Sequence, residues 1–475
     1  VRMKIRRLLS LALLPVVLPA CNVGPKYQKP ETTVDSKFAS SKREGAFSSD
    51  KEVATWWRKF NDSKLNSLID RGFANNLDLK IAAARVDEAR ALRSAARFDF
   101  FPTVTSDASY LNQRNSLAQS FAGRSRSSEL YDVGLDGFYE VDFWGRVRNN
   151  NKAALAELGT AEALREDALV LLASEIASNY MQLRGLQNEM GVAQRNATNQ
   201  RDTLKLTESL LQGGRGTELD TSRARAQLNS TLSAIPLIES AIRQNIHRLS
   251  VLVGEQPQVL LSDLLNSKPV PTLPSIVRIG DPADLLRRRP DIRAAEYQLE
   301  SATARVGVAT ADLFPRVTFN GRVALQAESF SGLTKSGADT YSFGPTISWA
   351  AFDLGRVKTQ IDASKARNVQ RLAEYQQTVL TALEETENAM TSFGRQRARR
   401  DFLREASAAS QQAAKLARER YQNGVADFLT VLDAERVMLE AESRQAESET
   451  LTATSLVAIY KALGGGWETN GRSSK

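Results

Sequence analysis

The sequence predicts a mainly α-helical, internally duplicated chain that also carries four strands of a membrane β-barrel. Three observations carry this prediction. The 475 residues include only 27 Gly and 14 Pro, while Ala, Leu, Arg, Gln and Glu are abundant, which is typical of long helices. Motifs of the first half recur at a fixed spacing in the second half. Within each half the hydrophobic pattern changes from a helical period to alternation and back.

The composition excludes several kinds of site. A single Cys excludes an internal disulfide framework and a Cys-cluster metal site. A single His, His247, removes most zinc sites and the commonest general base. We therefore predict no catalytic residue, no metal site and no enzyme activity. The mean hydropathy of −0.34 is too polar for a protein that crosses the membrane with several helices.

The N-terminus has the pattern of a bacterial lipoprotein signal. Four cations lie within residues 2–7, before an apolar run from Leu8 to Ala20 that is too short to span a membrane. The residues before Cys21 resemble a lipobox, so we predict a signal peptide at 1–20 and N-acyl and S-diacylglycerol lipid on Cys21. The alternative is an ordinary signal followed by a chance Cys. Loss of the four cations takes the formal charge from +8 to +4, which weakens the case for nucleic-acid binding.

Equivalent residues of the two halves keep a constant spacing. Asp78 and Asp291 are 213 residues apart, as are Pro102 and Pro315. Further along the chain the spacing becomes 210. The pairs at this second spacing are Tyr131 and Tyr341, Gly145 and Gly355, Gly214 and Gly424, Leu219 and Leu429, and Gly254 and Gly464. A register held over so many positions predicts a duplication, with the same architecture in both copies.

Each copy begins with a predicted helix and continues into one predicted hairpin. Residues 62–100 and 281–313 have apolar positions three and four apart and end at a Phe-Pro pair. Alternating residues then predict strands. Their approximate ranges are 102–111 and 129–142 in the first copy, and 316–326 and 341–352 in the second.

A long helical pattern follows each hairpin. It runs from Gly145 to about Gly213, and from Gly355 to about Asn423, which corresponds to helices roughly 100 Å long. After each long helix the chain is predicted to turn back into a second helix, at about 217–253 in the first copy and 427–463 in the second. Pro236 is expected to kink the first of these. The predicted units are a signal at 1–20, a lipidated N-terminal extension and equatorial part at 21–61, repeats at 62–256 and 281–466, a Pro-rich equatorial connector at 257–280 and a tail at 467–475.

The four strands have the pattern of a transmembrane β-barrel. Each is about ten residues long with one apolar and one polar face, and aromatic residues such as Phe101, Trp144 and Phe352 cluster at the strand ends. The alternative is a half-buried sheet in a soluble domain, which shows the same alternation. Four strands cannot close a barrel, and lipid does not tolerate an open edge. If the strands form a barrel, several chains must therefore build it together.

The motifs together resemble one known family. The lipobox with residues 21–30, the run 286–293, the paired Phe-Pro and Gly-Arg-Val elements and the end at 463–467 are similar to outer-membrane factors of the TolC superfamily, NodT/OprM branch. The resemblance covers essentially the whole mature chain. It implies a trimer in which each protomer gives four strands to a twelve-stranded barrel, above a periplasmic α-barrel with an equatorial domain.

The resemblance also implies the function. Such proteins are passive export ducts with an iris-like periplasmic gate, and they work with an inner-membrane pump of the RND type and a periplasmic adaptor, also called a membrane fusion protein. A periplasmic coiled-coil scaffold or adaptor lipoprotein without a barrel is the alternative function. An enzyme is a third hypothesis, although no nucleophile with a base, phosphate loop or metal cluster is present in the sequence. The sequence does not identify the cargo, the pump or the adaptor.

Site residues are carried over from the same resemblance. Leu429 and Asp433 match the constricting positions of the closed gate, and Tyr421 matches part of its lock. Four residues apart on a helix, Leu429 and Asp433 share one face, although a solvated surface carboxylate is the alternative for Asp433. The two helical turns farthest from the strands are the expected adaptor-docking tips, or else plain hairpin loops. Their residues are Gly213, Gly214, Gly216, Thr217, Asn423, Gly424 and Asp427.

Overall fold

The computed structural model describes residues 22–32, 34–35, 37–40, 47–48, 55–116, 125–274 and 276–467. The predicted signal peptide, the lipidation site Cys21 and the chain beyond residue 467 lie outside these described residues. Nine α-helices and two short 3₁₀ helices, Trp56–Phe60 and Phe330–Gly332, occur in the described part. The α-helices are α1 Ser63–Asn75, α2 Leu77–Phe98, α3 Arg146–Gln212, α4 Glu218–Leu252, α5 Leu261–Leu264, α6 Pro282–Arg288, α7 Pro290–Ala311, α8 Leu354–Gln422 and α9 Phe428–Ala462.

The described strands form two sheets. The small sheet pairs β1 (Phe47–Ser48) in parallel with β4 (Val277–Arg278). The large sheet is antiparallel throughout and has the order β2-β3-β5-β6. Its strands are β2 Thr103–Arg114, β3 Ser127–Val141, β5 Arg316–Ala327 and β6 Asp339–Ser348.

The duplication is visible in the strand register. Thr103 lies opposite Phe138 in the first hairpin. Their equivalents at the two sequence spacings, Arg316 and Ser348, lie opposite each other in the second hairpin. The two hairpins therefore pair their strands in equivalent registers.

Both helices predicted ahead of the hairpins are interrupted, which the periodic pattern alone did not predict. Asn76 has an extended backbone with ψ of 135°, and its side chain donates to the carbonyl oxygen of Leu252 at 2.9 Å. Arg289 is also extended, because the following proline disfavours helical geometry at this residue. Its guanidinium donates to Ala462 O at 3.0 Å. Asn76 and Arg289 are 213 residues apart and their acceptors are 210 apart, so the interruption is itself duplicated.

The two longest helices have the lengths that the sequence predicts. Helix α3 has 67 residues and α8 has 69, so each is about 100 Å long. Helices α4 and α9 have 35 residues each. Pro236 lies inside α4, and the kink at this residue stays a prediction. No helix in the described part of the chain is long and apolar enough to cross a bilayer.

The described residues divide into two compact units. The first contains the large sheet and comprises the described parts of Val1–Pro30, Val86–Ala161 and Ala295–Tyr375. The second comprises the described parts of Glu31–Arg85, Glu162–Ala294 and Gln376–Lys475. An aromatic cluster anchors the second unit, because Trp56 stacks on Tyr460 with ring centroids 4.8 Å apart and both side chains are fully buried.

Candidate functional site

One face of the large sheet is lined by charged and polar side chains. Arg322 on β5 reaches three carboxylates, two on the adjacent strand β3 and one on β2 beyond it. Its Nη1 lies 2.9 Å from Asp107 Oδ1 and 2.5 Å from Asp136 Oδ2, and Nη2 contacts Asp132. Gln326 also donates to Asp132. This face joins β2, β3 and β5 through charge-assisted hydrogen bonds and is suited to contact water.

The opposite face of the sheet is apolar and uncovered. Leu135, Val323 and Tyr341 are aligned across three strands and are 54%, 64% and 73% exposed. Phe343 and Ile347 continue this surface along β6. A soluble half-buried sheet would cover such a face with other parts of the chain. Exposed apolar side chains on one face with charges on the other are instead the arrangement of a membrane strand.

Aromatic side chains mark the strand ends nearest the long helices. Trp144 stacks on Phe314 at 4.5 Å and donates its indole hydrogen to Pro315 O at 2.9 Å. Trp349 donates to Leu313 O at 2.9 Å, just after β6 ends at Ser348. Rings that combine an apolar body with a satisfied polar group are typical of the membrane–water boundary.

The residues next to the predicted lipidation site are fixed to this same boundary. The Val23 amide donates to Trp144 O at 3.1 Å, and Asn149 Nδ2 donates to Val23 O at 3.2 Å. Gly145, with a φ of +83°, lies directly against Asn22. A lipid attached to Cys21 would therefore leave the protein beside the ends of the strands.

The two helical turns that follow the long helices α3 and α8 have the same backbone structure. Gly214 and Gly424 have φ values of +68° and +73°, a conformation that glycine adopts without strain. The amide of Arg215 then donates to Leu210 O at 2.8 Å, and the second turn has the equivalent bond at the same distance. Such a 6→1 bond after a left-handed residue is the Schellman motif, which satisfies the terminal carbonyls of a helix.

Each turn ends in a side-chain cap on the next helix. Thr217 Oγ1 accepts from the Asp220 amide at 3.2 Å, and Asp427 Oδ1 accepts from the Thr430 amide at 2.9 Å. Hydrogen bonds from Thr430 hold the pKa of Asp427 below its usual value. All seven predicted tip residues lie in these turns or their caps, and six of them are exposed. A methyl group on Gly424 would lie 3.5 Å from Arg215 Nη2, so the two turns are neighbours.

The predicted gate residues fall into a buried group and an exposed group. Tyr421 is 8% exposed, and its ring lies 5.6 Å from that of Phe428. Burial raises the pKa of Tyr421, and the charge of Asp220 adds to the rise. Around the two rings pack side chains from all four long helices. These are Ala224, Ala417 and Val431, with Leu204, Leu206, Leu210, Leu432 and Ala434 partly buried against them.

Leu429 and Asp433 lie on the exposed surface of α9, where Leu429 is 55% exposed. The duplication gives α4 a matching pair at Leu219 and Arg223, which is also exposed. Sequence reasoning recorded Leu219 but missed Arg223, although the spacing of 210 identifies it. Helix α9 thus presents an exposed carboxylate at the position where α4 presents an exposed guanidinium group.

Sequence reasoning also missed two buried carboxylates on α9. Glu435 is 2% exposed and accepts from Thr203 at 2.6 Å and from Arg418 at 2.8 Å. Seven residues further on, Glu442 is 9% exposed and accepts at 2.6 Å from both Asn196 and Gln411. The partners of Glu442 on α3 and α8 lie seven residues from those of Glu435, just as the two carboxylates lie seven residues apart on α9. This shared seven-residue spacing was the sequence signal that could have identified the two carboxylates. They join α9 to α3 and α8.

No group of three or more His, Cys, Asp or Glu side chains within the described ranges is arranged to hold a metal ion.

Comparison with known proteins identifies the chain's relatives. A family model described as "Outer membrane efflux protein" matches residues 68–255 and 282–465. The solvent efflux pump outer membrane protein SrpC of Pseudomonas putida is 31% identical, over 98% of this chain and 100% of that protein. Nodulation protein T of Rhizobium leguminosarum bv. trifolii is 30% identical, over 95% of this chain and 96% of that protein.

Solved structures have the same fold. The outer-membrane channel OprN has a TM-score of 0.89 and 41% identity, over 94% of this chain and all of that chain. The CmeC outer membrane channel of Campylobacter jejuni has a TM-score of 0.86 over 95% of this chain and 96% of that chain. At 23% identity, CmeC supports the fold alone.

Proposed function

Because the chain belongs to the outer membrane efflux protein family and is an export channel of the outer membrane, we propose that it works as a homotrimer with a periplasmic gate. Its large sheet has four strands in the described part of the chain. Three copies supply twelve, which is above the eight strands of the smallest barrels. The polar face around Arg322 then lines a water-filled lumen, and the apolar face contacts lipid.

The channel conducts without chemistry of its own. An inner-membrane pump of the RND type supplies the driving force and selects the cargo, and a periplasmic adaptor joins the pump to this channel. Relatives of this chain are named for solvent, toluene and antibiotic efflux. A wide aqueous duct discriminates little among small molecules, so the cargo of this system follows from its pump.

The gate lies at the two helical turns. The observation that carries this proposal is the contrast on α9 between buried Phe428 and exposed Leu429 and Asp433. Three copies place an apolar ring one helical turn from a carboxylate ring. The apolar ring blocks leakage and the carboxylates disfavour anions. Tyr421 holds the gate shut, because its buried ring joins α8 and α9 to side chains of α3 and α4.

The same turns form the docking surface for the adaptor. Their Schellman motifs and caps fix the backbone internally, which leaves the exposed tip residues free to contact a partner. The repeat of one turn structure at Gly214 and Gly424 gives a trimer six nearly equivalent docking points.

We also propose that Cys21 carries the lipid. The tether of Asn22 and Val23 at the strand ends supports this position, since acyl chains there enter the periplasmic leaflet beside the barrel.

Single-channel recording in planar bilayers tests the gate. Asp433→Ala should raise conductance or lower the preference for cations, because it removes three carboxylates from the constriction. Asp202→Ala is the matched control, since Asp202 is an exposed carboxylate on α3. An unchanged Asp433→Ala record would refute the gate assignment. A heat-modifiable trimer on unboiled gels is expected in parallel, and a monomer would refute the shared barrel.

A further inference from the structure

An open pocket of about 450 Å³ lies between helices α3, α7 and α8. All of its lining residues belong to the compact unit that contains the large sheet. A volume of this size is typical of sites for small organic ligands. Small, buried side chains form the base of the pocket, and polar and charged side chains surround its mouth. The residues at the base are Ser301, Ala302 and Ser364.

The lining of the pocket carries more positive than negative charge. It contains one carboxylate, Glu157, and three guanidinium groups, which belong to Arg305, Arg367 and Arg371. Glu157 pairs with Arg305 and accepts a hydrogen bond of 3.1 Å from the Ser301 hydroxyl group. The one carboxylate of the lining is therefore already engaged, and the lining does not neutralise the other two arginines.

These two arginines differ in their partners. Arg371 donates to Glu374 at 2.7 Å and to Gln298 at 3.2 Å. The Arg367 side chain is exposed and makes no ion pair or hydrogen bond with the described residues. Ser364, almost one helical turn before it, is 7% exposed, and its hydroxyl group also has no partner within the described ranges. A free guanidinium group and a buried hydroxyl group are thus available to a ligand on one side of the pocket.

The equivalent place in the first repeat does not have these charges. The two sequence spacings, 213 on α7 and 210 on α8, identify the equivalents of the three arginines. For Arg305, Arg367 and Arg371 they are Leu92, Glu157 and Ala161. Because both repeats form the same helical wall, the wall itself does not require the arginines. Their concentration at one of two equivalent places favours a binding site.

The pocket and the N-terminal segment lie on opposite sides of α7. Lys29 Nζ lies 2.7 Å from Glu296 on this helix. At about 3.6 residues per turn, Gln298 and Arg305 of the pocket are roughly 160–180° around the helix from Glu296. The N-terminal segment leads back to the proposed lipid on Cys21, which lies outside the proposed duct. The pocket on the opposite side therefore opens towards the water-filled lumen.

We propose that this pocket is a luminal subsite for small organic carboxylates. The proposal rests on the proposed duct and names a class of molecule that the duct binds during export. The carboxylate group lies against Arg367 and the Ser364 hydroxyl group, since a planar guanidinium group matches a carboxylate through two parallel hydrogen bonds. Arg371 adds positive charge, and the organic part packs on Ala302. Three subunits place three such pockets around the lumen.

Binding of naphthoate to the full-length protein in detergent tests the ligand class. Naphthalenemethanol is the neutral analogue, and inorganic phosphate is an anion without an organic part. In isothermal titration calorimetry we expect naphthoate to bind about tenfold more tightly than either of them, because only naphthoate supplies both a carboxylate and an apolar body. Equal binding of the alcohol would overturn the role of the arginines. Equal binding of phosphate would overturn the organic carboxylate as the ligand.

Arg367→Gln tests the position of the carboxylate. The variant should bind naphthoate about tenfold more weakly than the parent, because it loses charge-assisted hydrogen bonds. Arg404→Gln is the matched control, since Arg404 is an exposed arginine of the same helix outside the pocket. Its affinity for naphthoate should equal that of the parent. An equal loss in both variants would show that naphthoate responds only to the overall charge, which would overturn the site.

Cysteine labelling of the purified trimer tests the luminal position. Gln370→Cys places a thiol at the exposed mouth of the pocket, and Lys26→Cys places one on the N-terminal segment. A small maleimide should label both variants, whereas a maleimide on a polyethylene glycol chain too large to enter the duct should label only Lys26→Cys. The parent controls for labelling at Cys21. Equal labelling of both variants by the large reagent would place the pocket outside the duct and overturn the luminal subsite.

The binding experiment also separates this proposal from the proposed function. All lining residues come from one chain, so binding does not require the trimer. A trimer that fails to bind naphthoate would overturn the subsite and leave the proposed function standing. A monomer that binds naphthoate would overturn the proposed function, and the luminal position with it.

Discussion

Thr203 donates its hydroxyl hydrogen to Oε1 of Glu435 at 2.6 Å, which joins α3 to α9 through a carboxylate that is 2% exposed. Arg418 on α8 binds the same oxygen at 2.8 Å. This one carboxylate, two residues from Asp433, therefore connects three helices. Any outward movement of α9 at the proposed gate must break or carry along this contact.

Replacing Glu435 should loosen the end of the helical bundle. Glu435→Gln keeps the shape of the side chain but removes the charge that Arg418 faces. We expect a loss of about 1–3 kcal/mol in the free energy of unfolding, together with more frequent opening in bilayer recordings. Thermal unfolding followed by circular dichroism measures the first effect.

Glu442→Gln is the matched control for this change. Glu442 is also buried on α9, but the hydrogen bonds that it accepts come from two amides, Asn196 and Gln411. A glutamine there keeps one acceptor oxygen, and its amide group can donate to Asn196 Oδ1 once the Asn196 amide rotates. The change also removes a desolvated charge, so its effect should be smaller than that of Glu435→Gln. Equal losses in the two variants would contradict the role assigned to the Arg418 pair.

The sequence predicted the strands better than the helix ends, for a physical reason. Alternation is a local signal, and it located both hairpins to within a few residues. The break at Asn76 depends on a bond to Leu252 O, 176 residues away, and the helical period continues across it. Only Pro290 gave a local sign of the equivalent break at Arg289.

The same limit applies to the candidate site. The four-residue spacing of Leu429 and Asp433 is enough to place them on one face of α9. The burial of Glu435, two residues from Asp433, depends on where α3 and α8 pack. Its partners Thr203 and Arg418 come from those helices, and no pattern within α9 itself indicates them.

The glycines of the two turns should not tolerate a side chain equally. Gly214→Ala and Gly424→Ala each force alanine into a positive φ, at a cost of about 1–2 kcal/mol. Gly213→Ala is the matched control, because Gly213 has no positive φ and a Cβ there makes ordinary contacts. Faster amide exchange at Arg215 and Val425 should appear only in the first two variants. If Gly213→Ala also speeds amide exchange, loss of the Schellman geometry is not the cause of the faster exchange.

Cys21→Ser should abolish lipid attachment. Metabolic labelling with palmitate then gives an unlabelled protein, whereas the parent is labelled. The tether of Val23 to Trp144 and Asn149 does not depend on the lipid, so the variant should still form a heat-modifiable trimer. Persistent labelling would place the lipid on another residue.

A buried carboxylate in the second unit should make stability depend on pH. Burial, with the nearby charge of Asp291, raises the pKa of Asp167 from 3.8 to about 6, although Arg289 and Lys461 oppose the rise. As the pH rises, the unfolded chain therefore loses the Asp167 proton at a lower pH than the folded chain does. Stability is unaffected by this group below about pH 4, falls as pH rises towards 6, and stays at the lower level above it.

Asp167→Asn should remove this penalty. We expect the variant to be more stable than the parent by on the order of 2 kcal/mol at pH 7, with the difference vanishing near pH 4. Thermal unfolding of the detergent-solubilised trimer at several pH values measures it. Asp70→Asn changes an exposed carboxylate of the same unit and should leave the pH profile unaltered. A constant difference between Asp167→Asn and the parent from pH 4 to 7 would mean that the gain does not come from titration of Asp167.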